Sequence, residues 1–109
     1  MIVTINNKKI SLETANNFKT RLIGLMGKKK IENGLIFYNC SSIHTFFMKD
    51  NIDIVFLDKN FKIIQLYKNV KKNKIIIEIK AKHTLELPKG YIEYLSLQIN
   101  ETLNQLIKL

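Results

Sequence analysis

Through most of this chain apolar and polar positions alternate with a period of two, which predicts strands. The pattern is densest from Cys40 to Asp58, in CSSIHTFFMKDNIDIVFLD. There His44, Phe46 and Met48 alternate with Thr45 and Phe47, Lys49-Asp50-Asn51 supplies turn chemistry, and a second run follows. In that run Ile52, Ile54 and Phe56 share one face, and Asp53, Val55 and Leu57 the other. The two runs predict a central hairpin. Ile2–Ile5 and Lys8–Leu12 flank Asn6-Asn7 and predict a first, tight hairpin, because asparagine tolerates positive φ. Leu35-Ile36-Phe37-Tyr38 reads as a buried strand after the Asn33-Gly34 turn. Asp58-Lys59-Asn60 turns the chain into a strand over Phe61–Lys68, and Asn69–Lys74 is a polar loop. Ile75–Lys80 and Thr84–Leu87 are further strands, the second with Leu85 and Leu87 opposite Glu86 and closed by Pro88.

Helical spacing appears in few places. Phe18, Leu22, Leu25 and Met26 fall at i, i+4, i+7 and i+8, capped by Asn16 or Asn17 and ended near Gly24 and Gly27. Tyr91–Leu95 predicts one helical turn. The tail fits a helix through Leu103, Leu106 and Ile107, or a strand over Leu103–Leu109. Many short strands with one or two short helices predict an α+β, mainly β domain, a small antiparallel barrel-like sheet. At 109 residues the chain predicts a single domain over 1–109.

Composition changes this picture in two ways. Charged residues make up 25% of the chain and hydrophobic ones 46%, as in ordinary globular proteins, and no apolar run reaches membrane-span length. Met1 leads straight into Ile2-Val3-Thr4-Ile5 without a basic and then an apolar signal region. No secretory signal is therefore expected, and the expected location is cytoplasmic. One cysteine, Cys40, cannot form an intrachain disulfide, in keeping with a reducing compartment. The net charge of +9 comes almost wholly from lysine, since Arg21 is the only arginine. Abundant isoleucine and asparagine beside scarce alanine and proline are what AT-rich codons produce, so the lysines read first as a solvated basic surface. The same bias singles out Arg21, whose planar guanidinium lysine could not replace in a bidentate contact.

The candidate chemistry sits on the strands. Asp53 occupies a mostly apolar face and needs a partner, because an unpaired buried charge is costly; Arg21 is the expected one. Cys40 and His44 are four apart, but on a strand and without a second ligand pair, so no metal site and no cofactor is expected. A Cys40–His44 nucleophile and base oriented by Asp53 is conceivable, yet no glycine-rich elbow stands near Cys40 to supply an oxyanion hole. Gly24 and Gly27 lie late in the expected helix, where they cannot cradle phosphate. Tyr38, Phe61 and Tyr67 could stack on bases, but Tyr38 and Phe61 fall on core-facing positions.

Five segments in order resemble the uncharacterised bacterial and archaeal family known as domain of unknown function 192. Arg21-Leu22-Ile23-Gly24-Leu25-Met26 resembles its Arg-x-x-Gly-Leu-Met helix, and Gly34-Leu35-Ile36-Phe37 its Gly-Met-Leu-Phe strand. Ser42–Met48 and Ile52–Asp58 resemble its signature hairpin, and Leu85-Glu86-Leu87-Pro88-Lys89-Gly90 its Leu-Glu-Leu-Pro-Ala-Gly segment. The resemblance implies a compact, mainly β fold of one domain and no particular activity. This chain departs from the pattern at Lys71-Lys72-Asn73-Lys74, where relatives often carry tryptophan and proline, and at Asn100-Glu101, where a Gly-Asp turn is usual.

The expectation that follows is a non-catalytic binding module in which Arg21, His44, Asp53 and Glu86 line a polar patch and hold a small ligand or peptide. One alternative is a small hydrolase-like enzyme using Cys40, His44 and Asp53. Another is a weak, non-specific polyanion binder: the lysines are spread along the chain, and a single arginine leaves little scope for bidentate contact to guanine.

Overall fold

The computed structural model describes residues 1–15, 33–46, 48 and 50–107. Eight strands run in chain order: β1 (Ile2–Ile5), β2 (Lys8–Thr14), β3 (Gly34–Phe37), β4 (Ser42–His44), β5 (Ile52–Leu57), β6 (Ile63–Val70), β7 (Ile75–Ile77) and β8 (His83–Pro88). One helical turn (Tyr91–Tyr94) and one 3-10 turn (Asn104–Leu106) follow. The protein is mainly β, as the period-two pattern requires. The expected Phe18–Met26 helix, and with it Arg21, lies outside the described residues.

Six strands form one sheet in the order β1-β2-β3-β8-β5-β6, and β4 pairs with β7 in a second, two-stranded sheet. The large sheet is mixed rather than wholly antiparallel, because β2 and β3 run parallel. It is also open, not a closed barrel. The C-terminal segment reaches towards both of its edge strands. Lys62 and Thr102 form an antiparallel bridge beside the start of β6. Gln105 Nε2 then donates to the Thr4 carbonyl on β1 (3.0 Å), and Tyr38 Oη donates to the Leu106 carbonyl (2.5 Å). The tail resolves as this bridge and a 3-10 turn, neither of the two regular forms its spacing allowed.

The local rules mostly hold. Asn6 and Asn7 have φ of 50° and 68°, the left-handed pair that a two-residue hairpin needs. Asp58 Oδ1 accepts from the amides of Asn60 and Lys62 (2.8 and 3.0 Å), which closes the turn into β6. Gly34 sits in a tight spot: a Cβ there would force the side-chain ends of Leu12 and Leu87 to shift.

The expected central hairpin does not form. β4 stops at His44 and pairs with β7, while β5 pairs with β8 and β6. Thr45 is the reason. Its hydroxyl donates to the Lys71 carbonyl (2.7 Å) and accepts from the Lys74 amide (2.9 Å), and its own amide donates to the Lys74 carbonyl (2.9 Å). These bonds tie the chain to the 71–74 loop and take it away from β5.

Every residue of β5 is buried. Its two faces feed two cores. Val55 and Leu57 pack with Ile5, Leu12, Ile36, Leu85, Leu87 and the tail residues Leu103 and Leu106. Ile52, Ile54 and Phe56 pack with Leu35, Phe37, Ile43 and Met48. Each fully buried side chain of this size contributes roughly 1.5–3 kcal/mol of transfer free energy.

Candidate functional site

Asp53 sits at the start of β5, opposite Leu87 of β8, with 1% of its surface exposed. Around it the β5–β6 ladder skips: Ile52 pairs with Val70 and Ile54 with Tyr67, so Lys68 and Asn69 together face Asp53. This is a β-bulge, and Asn69 adopts φ of 54° within it. The bulge turns the Asn69 amide onto Asp53 Oδ1 (2.9 Å). The other oxygen, Oδ2, accepts from the Ile92 amide in the first turn of the Tyr91–Tyr94 helix (2.9 Å). Asp53 thus caps a helical turn 39 residues away in sequence, satisfying an amide that has no intrahelical partner. Both carboxylate oxygens rest on backbone amides. The pairing expected with Arg21 lies outside the described residues.

Above this carboxylate lies an open hollow of about 280 Å³ lined by Asp53, Lys68, Asn69, Lys89, Gly90 and Glu93. The bulge forms one wall. The Lys89-Gly90 turn forms another, with Gly90 at φ of 87°, a value that favours glycine. Lys68 Nζ lies 3.5 Å from Glu93 Oε1, both side chains more than half exposed. Such a pair is worth little on its own and can open. Lys89 also reaches this rim and has no salt bridge among the described residues.

Of the residues expected to form one polar patch, Asp53 and Glu86 stand on opposite faces of the sheet. Glu86 pairs in register with Leu35 and Ile54, on the opposite face of the sheet from Asp53, and is fully buried there. His44 stands on β4, where its ring tilts against Phe46 with centroids 5.1 Å apart. Arg21 lies outside the described residues. Of the residues of the hydrolase-like alternative, the Cys40 thiol donates to the Ser42 carbonyl (3.0 Å), and both Asp53 oxygens accept from backbone amides. Among the described residues no group of three or more His, Cys, Asp or Glu side chains converges as metal ligands would.

Sequence reasoning missed Lys68, Asn69, Lys89, Gly90 and Glu93, because a bulge leaves no mark in a period-two pattern. One signal was present: a carboxylate on a buried strand face announces a nearby cluster of donors. It also missed His83, which lies face to face on Phe61 (centroids 4.5 Å, planes 7° apart) with Tyr38 edge-on to both. His83 Nδ1 accepts from the Asn39 amide (3.1 Å), so that nitrogen is unprotonated. Burial, and then the Lys82 ammonium, hold its pKa below the ordinary 6.5, with Asp58 acting in the opposite sense. A second, smaller hollow of about 170 Å³ is lined by Asn39, Cys40, Ser41, Ala81 and Lys82.

The profile of the family described as uncharacterized ACR, domain of unknown function 192, matches residues 1–105. The chain belongs to that family. Two solved structures share the fold of this family member. One is a protein of unknown function from Novosphingobium aromaticivorans DSM 12444, with a TM-score of 0.75 at 17% identity over 93% of this chain and 80% of that one. The other, from Sinorhizobium meliloti 1021, is assigned only provisionally as a transcription regulator; its TM-score is 0.73 at 18% identity over 91% of this chain and 85% of that one. At these identities the likeness shows the fold alone. No curated protein matches the chain. Among the described residues no helix is long and apolar enough to cross a membrane.

Proposed function

We propose that this family member is a non-catalytic binding module, one domain working in the cytoplasm, that holds a small ligand or a peptide by an anionic group. The observation that carries the reading is the bulge at Lys68-Asn69. Bulges concentrate beside functional sites, where they re-aim a side chain. Here the bulge brings Lys68 to the rim of the hollow, facing Lys89 and Gly90 across the Asp53 floor. Asp53 has its charge compensated by two amides and acts as scaffold. The lysines act as recognition, with Lys68 able to leave the loose Glu93 contact for a better acceptor. A carboxylate or phosphate at the rim would meet two ammonium groups at once.

The test is an amide chemical-shift titration with inorganic phosphate, citrate and short peptides with free C-termini. Shifts clustered on residues 53, 68–69 and 89–93 support the reading. Uniform small shifts over all lysine-bearing segments contradict it and favour diffuse polyanion attraction.

A further inference from the structure

We propose that the free edge of β7 docks an extended segment of a partner protein, with an apolar centre and acidic ends, by strand addition. This surface is separate from the hollow over Asp53. Among the described residues β7 has a neighbour on one side only, β4. Its inward residue, Ile76, packs against the core that contains Ile43. The alternate residues Ile75, Ile77 and Ile79 are 63%, 61% and 86% exposed. Ile75 and Ile77 stand at strand spacing, about 7 Å apart along the chain, and Ile79 follows in the turn that the Ala81 amide closes on the Glu78 carbonyl (2.9 Å). Isolated surface isoleucines need no explanation, but two on a strand with an open edge, continued by a third in the adjoining turn, are a template for another strand.

Charge selects the occupant. Lys71, Lys72 and Lys74 precede the row, and Lys80 and Lys82 follow it. Glu78 is the single acidic residue of this stretch, and its carboxylate folds back onto the Lys80 amide (3.4 Å). A second copy of the chain would bring the same lysines and a net charge of +9, and like charges opposed across strands are destabilising. A segment with β-branched residues in its middle and carboxylates at both ends meets the isoleucines and the two lysine groups together. Backbone hydrogen bonds would then supply affinity and the alternating side chains specificity.

The probe is a capped nonapeptide with a Val-Thr-Val-Thr-Val centre and two glutamates at each end, titrated into the isotope-labelled full chain. Amide shifts are expected over 74–80 and on β4, without change at residues 68–69 and 89–93. The same peptide with lysine ends should bind at least about tenfold more weakly, since like-charge juxtaposition rejects it. Methylation of alternate backbone amides of the peptide should abolish binding, and Ile77→Ser, at an exposed position, should weaken it while leaving the fold intact. Absence of binding, equal binding by the methylated or lysine-ended peptide, or self-association of the protein through β7 would each overturn the proposal.

Discussion

β5 and β7 are both short strands rich in isoleucine, and the fold treats them in opposite ways. β5 (Ile52–Leu57) lies between β8 and β6 with all six residues buried, a carboxylate included. β7 (Ile75–Ile77) has a single neighbour and leaves two of its three isoleucines in solvent. Hydrophobicity does not separate them. Position does: a central strand has both faces covered, whereas β7 has one inward residue and an open edge. The contrast separates scaffold from surface. Where the chain is fully enclosed, a charged group such as Asp53 must be satisfied by the scaffold. Where it is open, apolar groups are available to something else.

Truncation at the centre should have the largest effect. Ile54→Ala is expected to cost about 2–5 kcal/mol in chemical denaturation, because the site is fully enclosed and cannot collapse. A loss of a few tenths would mean that the β5 faces are not two cores.

Asp53→Ala comes next. It strands the amides of Asn69 and Ile92, at about 1–3 kcal/mol for each group left unsatisfied. Hydrogen exchange should show the loss first at Ile92 and Asn69. If exchange there is unchanged, Asp53 does not hold the bulge and the helical turn.

Much of this was legible beforehand. The Asn6-Asn7 hairpin, the Asp58 turn and the opposite facing of Glu86 and Leu85 follow from turn chemistry and alternation alone. Asparagine is abundant here, and Asn6, Asn7, Asn39, Asn69, Asn73 and Asn100 all take positive φ, so the residue bias also serves the turns. Three features were hidden, each because it depends on long-range contact. The pairing of β4 with β7 is fixed by Thr45 reaching the 71–74 loop. The parallel β2–β3 pair depends on strand order, which alternation does not encode. The hollow over Asp53 needs a bulge and a helix turn 39 residues away.

A smaller effect is expected at His83, the buried ring that anchors the Asn39 turn. Its folded pKa lies below 6.5, so below that pH the unfolded chain binds more protons than the folded one. Its contribution is fully present above 6.5 and is lost as pH falls towards the folded value. Denaturation midpoints followed from about pH 7.5 to about pH 5.5 should therefore fall more steeply for the parent than for His83→Gln. Parallel slopes would show that His83 titrates alike in the folded and unfolded chain, with no shift from burial.

The smallest effect completes the contrast with β5. Ile77→Ala should change stability by no more than about 0.5 kcal/mol, as for a surface position away from any packed feature. A cost comparable to that of Ile54→Ala would show that the β7 face is covered in the free protein.

The central claim is a division of labour at the hollow: Asp53 builds it, and Lys68 and Lys89 recognise an anionic ligand. Isothermal titration of citrate into the parent and into the Lys68→Ser, Lys89→Ser double variant, alongside thermal melts of both, tests it most directly. The account predicts coincident melts, since both lysines line the rim of an open hollow, with binding by the parent and its loss in the double variant. Equal citrate binding by the two proteins, or none by the parent, would contradict it.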